Sequence, residues 1–449
     1  MTPVFPTHMA DLMPFLPGAQ CQGNALFQGL SIDSRRLLPG NLFIALNGAR
    51  NGHAFLQAAA EAGAAGAIVS EPSTLLPTIL VENTQRALER LGVAYRAQYQ
   101  GLVLALTGSQ GKTSTRGFLG AIMQAAVEDP DAVLVTRGNL NNHLGVPLTL
   151  SRLTEKTEVA VFELGASAVG DIRQLGQWVR PHIGCVLNAR DAHLESFGSL
   201  ANIVRGKGEL IDCVSLTGTV VLPADEPAFS QWKTQVGSRD VWTFGQASGD
   251  VRYTPLSDRD AEFITPLGVA EVRLPTIGRH FMANAAAAIA MAMAADADLE
   301  TCVQGLASAV IEPGRMTPMQ GLNGHLVVDD TYNASPQAVR AAIDWLSGQS
   351  GERLLILGGL AELGDASEQL MAELGRYAQA AGIDHLITCG AGHPIGREIA
   401  GVRHFETVDD LCAACAELPE ASVTLVKGSR SAQMDRVVDA LTGRAGGLH

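Results

Sequence analysis

Thr107-Gly108-Ser109-Gln110-Gly111-Lys112-Thr113 places two glycines, a lysine and a hydroxyl at the spacing of a phosphate cradle. Glycines let backbone amides curl around an anion, and a helix starting at the loop adds the positive end of its dipole. Lys112 can then reach the outer phosphates, while Thr113 can hold a magnesium ion. The general pattern also wants a glycine five residues before Gly111, where this chain has Leu106, so the loop is the shorter T-G-S-x-G-K-T form. Glu163 and His193 are candidates to join Thr113 around a metal. Each also has a plainer reading, Glu163 as a solvated or helix-capping carboxylate and His193 as a satisfied polar residue. Asn141-Asn142, followed by Gly145-Val146-Pro147, reads equally as turn chemistry or as amides aimed at a ligand. Lys207 falls in a helical stretch where a lysine is ordinarily solvated.

These residues need elements to hold them. Residues 102–106 (LVLAL) form a short apolar run with the character of a buried parallel strand, and STRGFLGAIMQAA after the loop has helical spacing. Further apolar strands at 133–136, 159–162 and 183–187 run into RGNLNNHLG, ELGA and NARDAH. In an open parallel sheet, ligands lie beyond the carboxyl ends of the strands, where those polar stretches would meet the loop. Upstream, Asp33-Ser34-Arg35-Arg36 at a strand end suits a diphosphate or carboxylate, or is simply a solvated turn. Asn284 opens an alanine-rich helix whose small residues imply close packing, and its amide could meet a base edge. From Arg315 a new series of four apolar strands separated by helices predicts a mostly parallel domain. Asp329, Asp330, Tyr332 and Asn333 end the first of these strands, Lys427 to Arg430 end the last, and both clusters read as ligand-facing.

At 449 residues the chain exceeds one core and suggests about three domains. An apolar share of 47% with 17% charged residues describes a well-packed globular protein. The net charge of −14 argues against a nucleic-acid partner, so anionic ligands must be bound locally by loops, Lys, Arg and magnesium. The proline-interrupted N-terminus lacks the basic start of a secretory signal, and the most apolar stretch, 285–295, is too short to insert in a membrane. A cytoplasmic enzyme is the expectation. Seven scattered cysteines fit reduced thiols there, and Cys412-x-x-Cys415 has no second pair to complete a zinc site.

Taken together, the short loop with NLNNHLGVPLTL, ELGA, AHLESFGSL followed by KGE, DDTYNASP, LAELGD and KGSRSAQMD resembles the Mur ligase family over nearly the whole chain. DSRRLLPGNLFIALNG resembles a nucleotide-sugar-binding N-terminal domain of that family. Gly359, Asn51 and Ser335 depart from the family's usual residues. The resemblance implies an α/β protein of three domains: a small N-terminal UDP-substrate domain (1–82), a central P-loop-type ATPase domain with a parallel sheet (83–313), and a C-terminal Rossmann-like domain (314–449), hinged near 83 and 314. It implies ATP-dependent amide formation between UDP-N-acetylmuramoyl-tripeptide and D-alanyl-D-alanine through an acyl phosphate, by a monomer. A single-residue-adding ligase of the same family is the alternative, with a P-loop regulatory NTPase behind it. Residue by residue, it implies ATP phosphate binding by Gly108, Ser109, Gln110, Gly111, Lys112, Thr113 and Ser114. Asn284, Arg315 and Asp330 would make adenine, ribose or phosphate contacts, and Ser34 and Arg35 would meet the uridine nucleotide. Two magnesium ions would be held by Thr113, Glu163, His193 and a carbamylated Lys207, with Lys112, His193 and Lys207 as the catalytic set.

Overall fold

The computed structural model describes residues 6–48, 50–190, 197–361, 363 and 367–444. Among the described residues three sheets, each flanked by helices, follow one another along the chain, which is the three-part α/β architecture expected. In the first, parallel strands Gly29–Ser31, Asn41–Ile44, Gly66–Val69 and Thr78–Leu80 are closed by antiparallel Gln20–Gln22. The helix Thr84–Gln98 leads out of it, capped by the Asn83 side chain, which accepts from the Arg86 amide at 2.9 Å.

The second sheet has nine strands and positions the loop. Strand Leu102–Thr107 lies between Val159–Glu163 on one side and Ile183–Val186 on the other, all parallel. The chain leaves Leu102–Thr107 toward the edge strand Val133–Val135, returns through Val159–Glu163, then crosses to the other side. That reversal opens a crevice at the carboxyl end of Leu102–Thr107, where the loop begins. The strand is buried on both faces: Leu104 and Leu106 enter one core, Val103 and Ala105 the other. This explains its continuous apolar run without alternation.

Helices Lys112–Ala126, His280–Met293 and Leu299–Ser308 pack together over one face of this sheet. Their approach depends on small residues: a Cβ on Gly305 would collide with the Ile122 backbone, and the alanines of His280–Met293 from Ala285 onward are buried. Beyond Thr219–Pro223 the region to Leu274 resolves into parallel Asp240–Gly245 and Val251–Pro255, followed by antiparallel Asp260–Thr265 and Gly268–Arg273.

The C-terminal sheet has six strands rather than the four expected. Leu326–Asp330, Val423–Lys427, Arg353–Leu357 and His385–Cys389 are the apolar parallel strands read from the sequence. The two additional strands are edges: Thr317–Gln320, antiparallel and carrying Pro318, and the three-residue Arg403–Phe405. Edge strands bury too little to need an apolar run, and an edge tolerates proline. Among the described residues no helix is long and apolar enough to cross a membrane, all seven cysteines are free, and no cluster of His, Cys, Asp and Glu forms a ready-made metal site.

Candidate active site

The loop folds as a turn whose backbone is fixed from both sides. Gly111 takes φ +80° as the residue before helix Lys112–Ala126, a conformation that costs an L side chain roughly 1–2 kcal/mol. A Cβ there would also strike the Asn284 side-chain oxygen. On the other side, the Ser109 hydroxyl accepts from the Arg190 amide and donates to the Arg190 carbonyl, both at 3.0 Å. The Gln110 amide donates to Asn188 Oδ1 at 3.0 Å. Gly111→Ala is therefore expected to lose nucleotide binding and to lower the thermal midpoint by several degrees. Titration with ADP and a melting curve check both.

Lys112 Nζ curls over this turn, donating to the Gly108 carbonyl at 2.7 Å and the Ser109 carbonyl at 3.1 Å. Its pKa lies below the usual lysine range, first because the surrounding protein desolvates it and next because Arg315 is nearby, with Glu163 opposing. Thr113 and Ser114, the next residues of the helix, are buried in its first turn.

Glu163 ends the neighbouring strand, in register with Leu106, and this pairing brings its carboxylate to the loop helix. The carboxylate is 1% exposed. Thr113 Oγ1 donates to Oε1 at 3.3 Å, Asn141 Nδ2 donates to Oε1 at 2.7 Å, and Arg116 Nη1 donates to Oε2 at 3.2 Å. The adjacent Asn142 does different work, its Oδ1 accepting from the Leu144 and Gly145 amides in the turn that leads into a short helix. One asparagine of the pair thus serves the turn while the other faces the carboxylate. A hydroxyl and a carboxylate oxygen side by side are hard oxygen donors that fit a magnesium ion. His193, the third expected ligand, lies outside the described residues.

Lys207 sits in helix Leu200–Cys213, which opens at Ser199 with the hydroxyl accepting from the Asn202 amide at 3.2 Å. The lysine is 2% exposed, with Nζ 5.4 Å from the centre of the Phe197 ring. Burial, followed by the charge of Lys112, pushes its pKa down to about 7, and Asp171 opposes. A solvated lysine would show none of this. Lys112 is the charged neighbour that weighs most on Lys207.

Asn284 is buried in helix His280–Met293 over Gly111. Arg315 stacks its guanidinium 4.0 Å above the centre of the Tyr332 ring, and its Nε has no hydrogen-bond partner among the described residues. Asp330 accepts from Lys427 Nζ at 2.6 Å, and Lys427, 2% exposed, also donates to the Asn333 carbonyl at 2.8 Å. Burial raises the Asp330 pKa and Lys427 pulls it back. His280 is held down to about 4, by desolvation first and then by Lys427.

The loop, Glu163 and Asn284 are thus in contact, the charge of Arg315 is felt at Lys112 and that of Lys112 at Lys207, and Asp330 pairs with Lys427 in the C-terminal unit. Ser34 and Arg35 do not join them. They follow strand Gly29–Ser31 in the first unit, where the exposed Arg35 pairs with Asp33 at 2.7 Å and lowers its pKa. Sequence reasoning left Arg116 without a role, yet it contacts Glu163. Lys427 belongs to the polar cluster closing the last strand, read as ligand-facing, and it pairs with Asp330. The stretch 360–365 (LAELGD) lies partly outside the described residues.

Residues 106–292 match the Mur ligase middle domain, and residues 314–430 match the Mur ligase glutamate ligase domain. The UDP-N-acetylmuramoyl-tripeptide–D-alanyl-D-alanine ligase of Escherichia coli is 37% identical over 445 residues, covering 96% of this chain and 98% of that protein. The chain belongs to the Mur ligase family. Among other Mur ligases, the enzyme of the same name from Haemophilus influenzae is 33% identical over 93% of this chain and 94% of its own. A crystal structure of MurF from Acinetobacter baumannii superposes with a TM-score of 0.86 at 34% identity, covering 98% of this chain and 99% of that one. MurF from Thermotoga maritima in complex with ADP gives 0.77 at 26% identity, covering 93% and 97%. The Mur ligase middle-domain match opens at Leu106, one residue before the loop, and closes at Ala292 in the helix that carries Asn284. The second match starts at Gly314, whose left-handed turn at φ +81° leads into the C-terminal unit.

Proposed function

We propose that this chain joins D-alanyl-D-alanine to UDP-N-acetylmuramoyl-tripeptide, converting ATP to ADP, in the synthesis of peptidoglycan precursor. The observation that carries this is end-to-end similarity to an enzyme named for that reaction, 37% identical over 96% of this chain. The tripeptide carboxylate attacks the γ-phosphorus of ATP as the bond to ADP breaks, giving an acyl phosphate. The dipeptide amine then attacks the acyl carbon, and phosphate departs. Two anions meet in the first step, so this chain's task is positioning and charge neutralisation, with no protein nucleophile.

The residues divide that task. The amides of residues 108–114 and Lys112 hold the outer phosphates, and Asn284 lies against the same turn. Arg315 and Asp330 bind the remainder of the nucleotide from the C-terminal side, with Lys427 fixing the Asp330 carboxylate. Thr113 and Glu163 hold magnesium together with His193, and a carbamate on Lys207 holds a second ion. Magnesium supplies electrostatic stabilisation of the transferring phosphoryl group. Ser34 and Arg35 bind the uridine nucleotide on the first unit. Their placement far along the chain from the loop calls for a molecule of three parts, 1–82, 83–313 and 314–449, closing about the linkers near 83 and 314. The enzyme acts as a cytoplasmic monomer with small-molecule substrates and no nucleic acid.

Incubation with UDP-N-acetylmuramoyl-tripeptide and ATP is expected to release phosphate when D-alanyl-D-alanine is added and not with single amino acids. Release only with a single amino acid would assign the chain to a different ligase of the family. Equal ATP hydrolysis without any acceptor would point to a regulatory NTPase.

A further inference from the structure

Arg116 lies one helical turn beyond Thr113 and is buried, yet it faces two carboxylates from different parts of the chain. Nη1 donates to Glu163 Oε2 at 3.2 Å and to the Gly138 carbonyl at 2.7 Å, in the loop that leads to Asn141. Nη2 donates to Glu312, in the linker between the central and C-terminal units, whose side chain is 29% exposed. Two residues beyond Glu312, Gly314 is clamped to the C-terminal sheet: its carbonyl accepts from the Tyr332 amide at 3.0 Å, and a Cβ on it would come within 2.7 Å of that nitrogen. Arg315 then stacks on Tyr332. One guanidinium therefore bridges the carboxylate proposed to hold magnesium and the strand of chain that carries the nucleotide's other contacts.

A lone arginine against Glu163 would neutralise the charge that a cation needs. Glu312 accepts from Nη2 and so holds the guanidinium on its own side, leaving more of the Glu163 charge for a cation than Arg116 would leave on its own. In a water-poor site the placement of one unit charge strongly affects binding of a divalent ion. We infer that Arg116 is a positioning residue for Glu163, and that Glu312 draws its charge aside and so makes magnesium affinity depend on the linker to the C-terminal unit. This rests on Glu163 being a metal ligand.

The test is calorimetric ADP binding to the full chain with and without magnesium. Glu312→Gln is expected to weaken the magnesium-dependent part about tenfold, the size of effect seen when one member of a charge network is removed, and to leave metal-free ADP binding unchanged. Glu312→Asp keeps the charge and should stay within about twofold of the parent. In an Arg116→Met background, Glu312→Gln should have no further effect. Unchanged magnesium affinity in Glu312→Gln, or the same loss with and without Arg116, overturns the inference. If Arg116→Met does not fold, the comparison of Glu312→Gln with Glu312→Asp decides alone, equal loss in both counting against it. Glu163→Gln separates the two readings. If it leaves magnesium affinity intact, the metal assignment and this inference both fall; if it abolishes that affinity while Glu312→Gln does nothing, only the inference falls.

Discussion

Lys112→Met is expected to lower kcat/KM for ATP by on the order of a thousandfold, about 4 kcal/mol of transition-state stabilisation, without unfolding the protein. The ammonium now donates to the Gly108 and Ser109 carbonyls, and an arriving phosphate offers it a charged acceptor instead. Those carbonyls are not left stranded by the substitution, because the residue is partly open to solvent and water can replace the amine. Stability should therefore move little, while the charge that meets the γ-phosphoryl oxygens disappears. Burial lowers the lysine's pKa, yet Glu163 nearby favours the charged form that this role requires. Single-turnover ADP formation measures the loss, and a thermal melt within a few degrees of the parent shows that the fold persists. Activity within tenfold of the parent would remove Lys112 from the phosphoryl-transfer step.

The loop was legible because everything it needs is contiguous: an apolar strand, two glycines, a lysine and a helix within 25 residues of chain, 102–126. Glu163 was legible at one remove, since a parallel sheet sets the carboxyl ends of adjacent strands side by side and register then pairs it with Leu106. Asn141 and Asn142 could not be separated in advance, because an asparagine amide caps a turn and faces a carboxylate with equal ease. Arg116 escaped for a different reason. Its partner Glu312 lies 196 residues away, and no local spacing encodes that contact. Lys427 and Asp330, by contrast, close adjacent parallel strands of one sheet in register, so the polar residues at those two strand ends were readable together. The two edge strands of the C-terminal sheet were lost because hydrophobic pattern reports burial, and an edge of three or four residues buries little. The solvated reading of Lys207 fails on tertiary grounds alone: it is the Phe197 ring and the neighbouring helices that take the amine out of water.

Lys207→Ala is expected to keep the fold and lose on the order of a hundredfold to a thousandfold in kcat. The unmodified amine already opposes folding. Its pKa falls from an ordinary 10.5 to about 7, so between those values the unfolded chain binds more protons than the native one. Stability from this group accordingly rises with pH across that window, and below about 7 the native state must bury a charge. Removing the side chain leaves a cavity but relieves that penalty, and the two effects are of similar size, several kcal/mol each. Catalysis has no such compensation. Near pH 7 a large fraction of the amine is neutral and can attack carbon dioxide, losing a proton to become a carbamate. The product is an anion where a cation stood, and the Lys112 charge that disfavoured the ammonium now favours it. Carbamylation should therefore increase as pH rises through about 7, read as a carbon-13 carbamate signal from labelled bicarbonate. The signal should vanish in Lys207→Ala, and acetate should restore part of that variant's activity by placing a carboxylate in the vacated space. Full activity in Lys207→Ala, or a carbamate signal that survives the substitution, would take Lys207 out of the site.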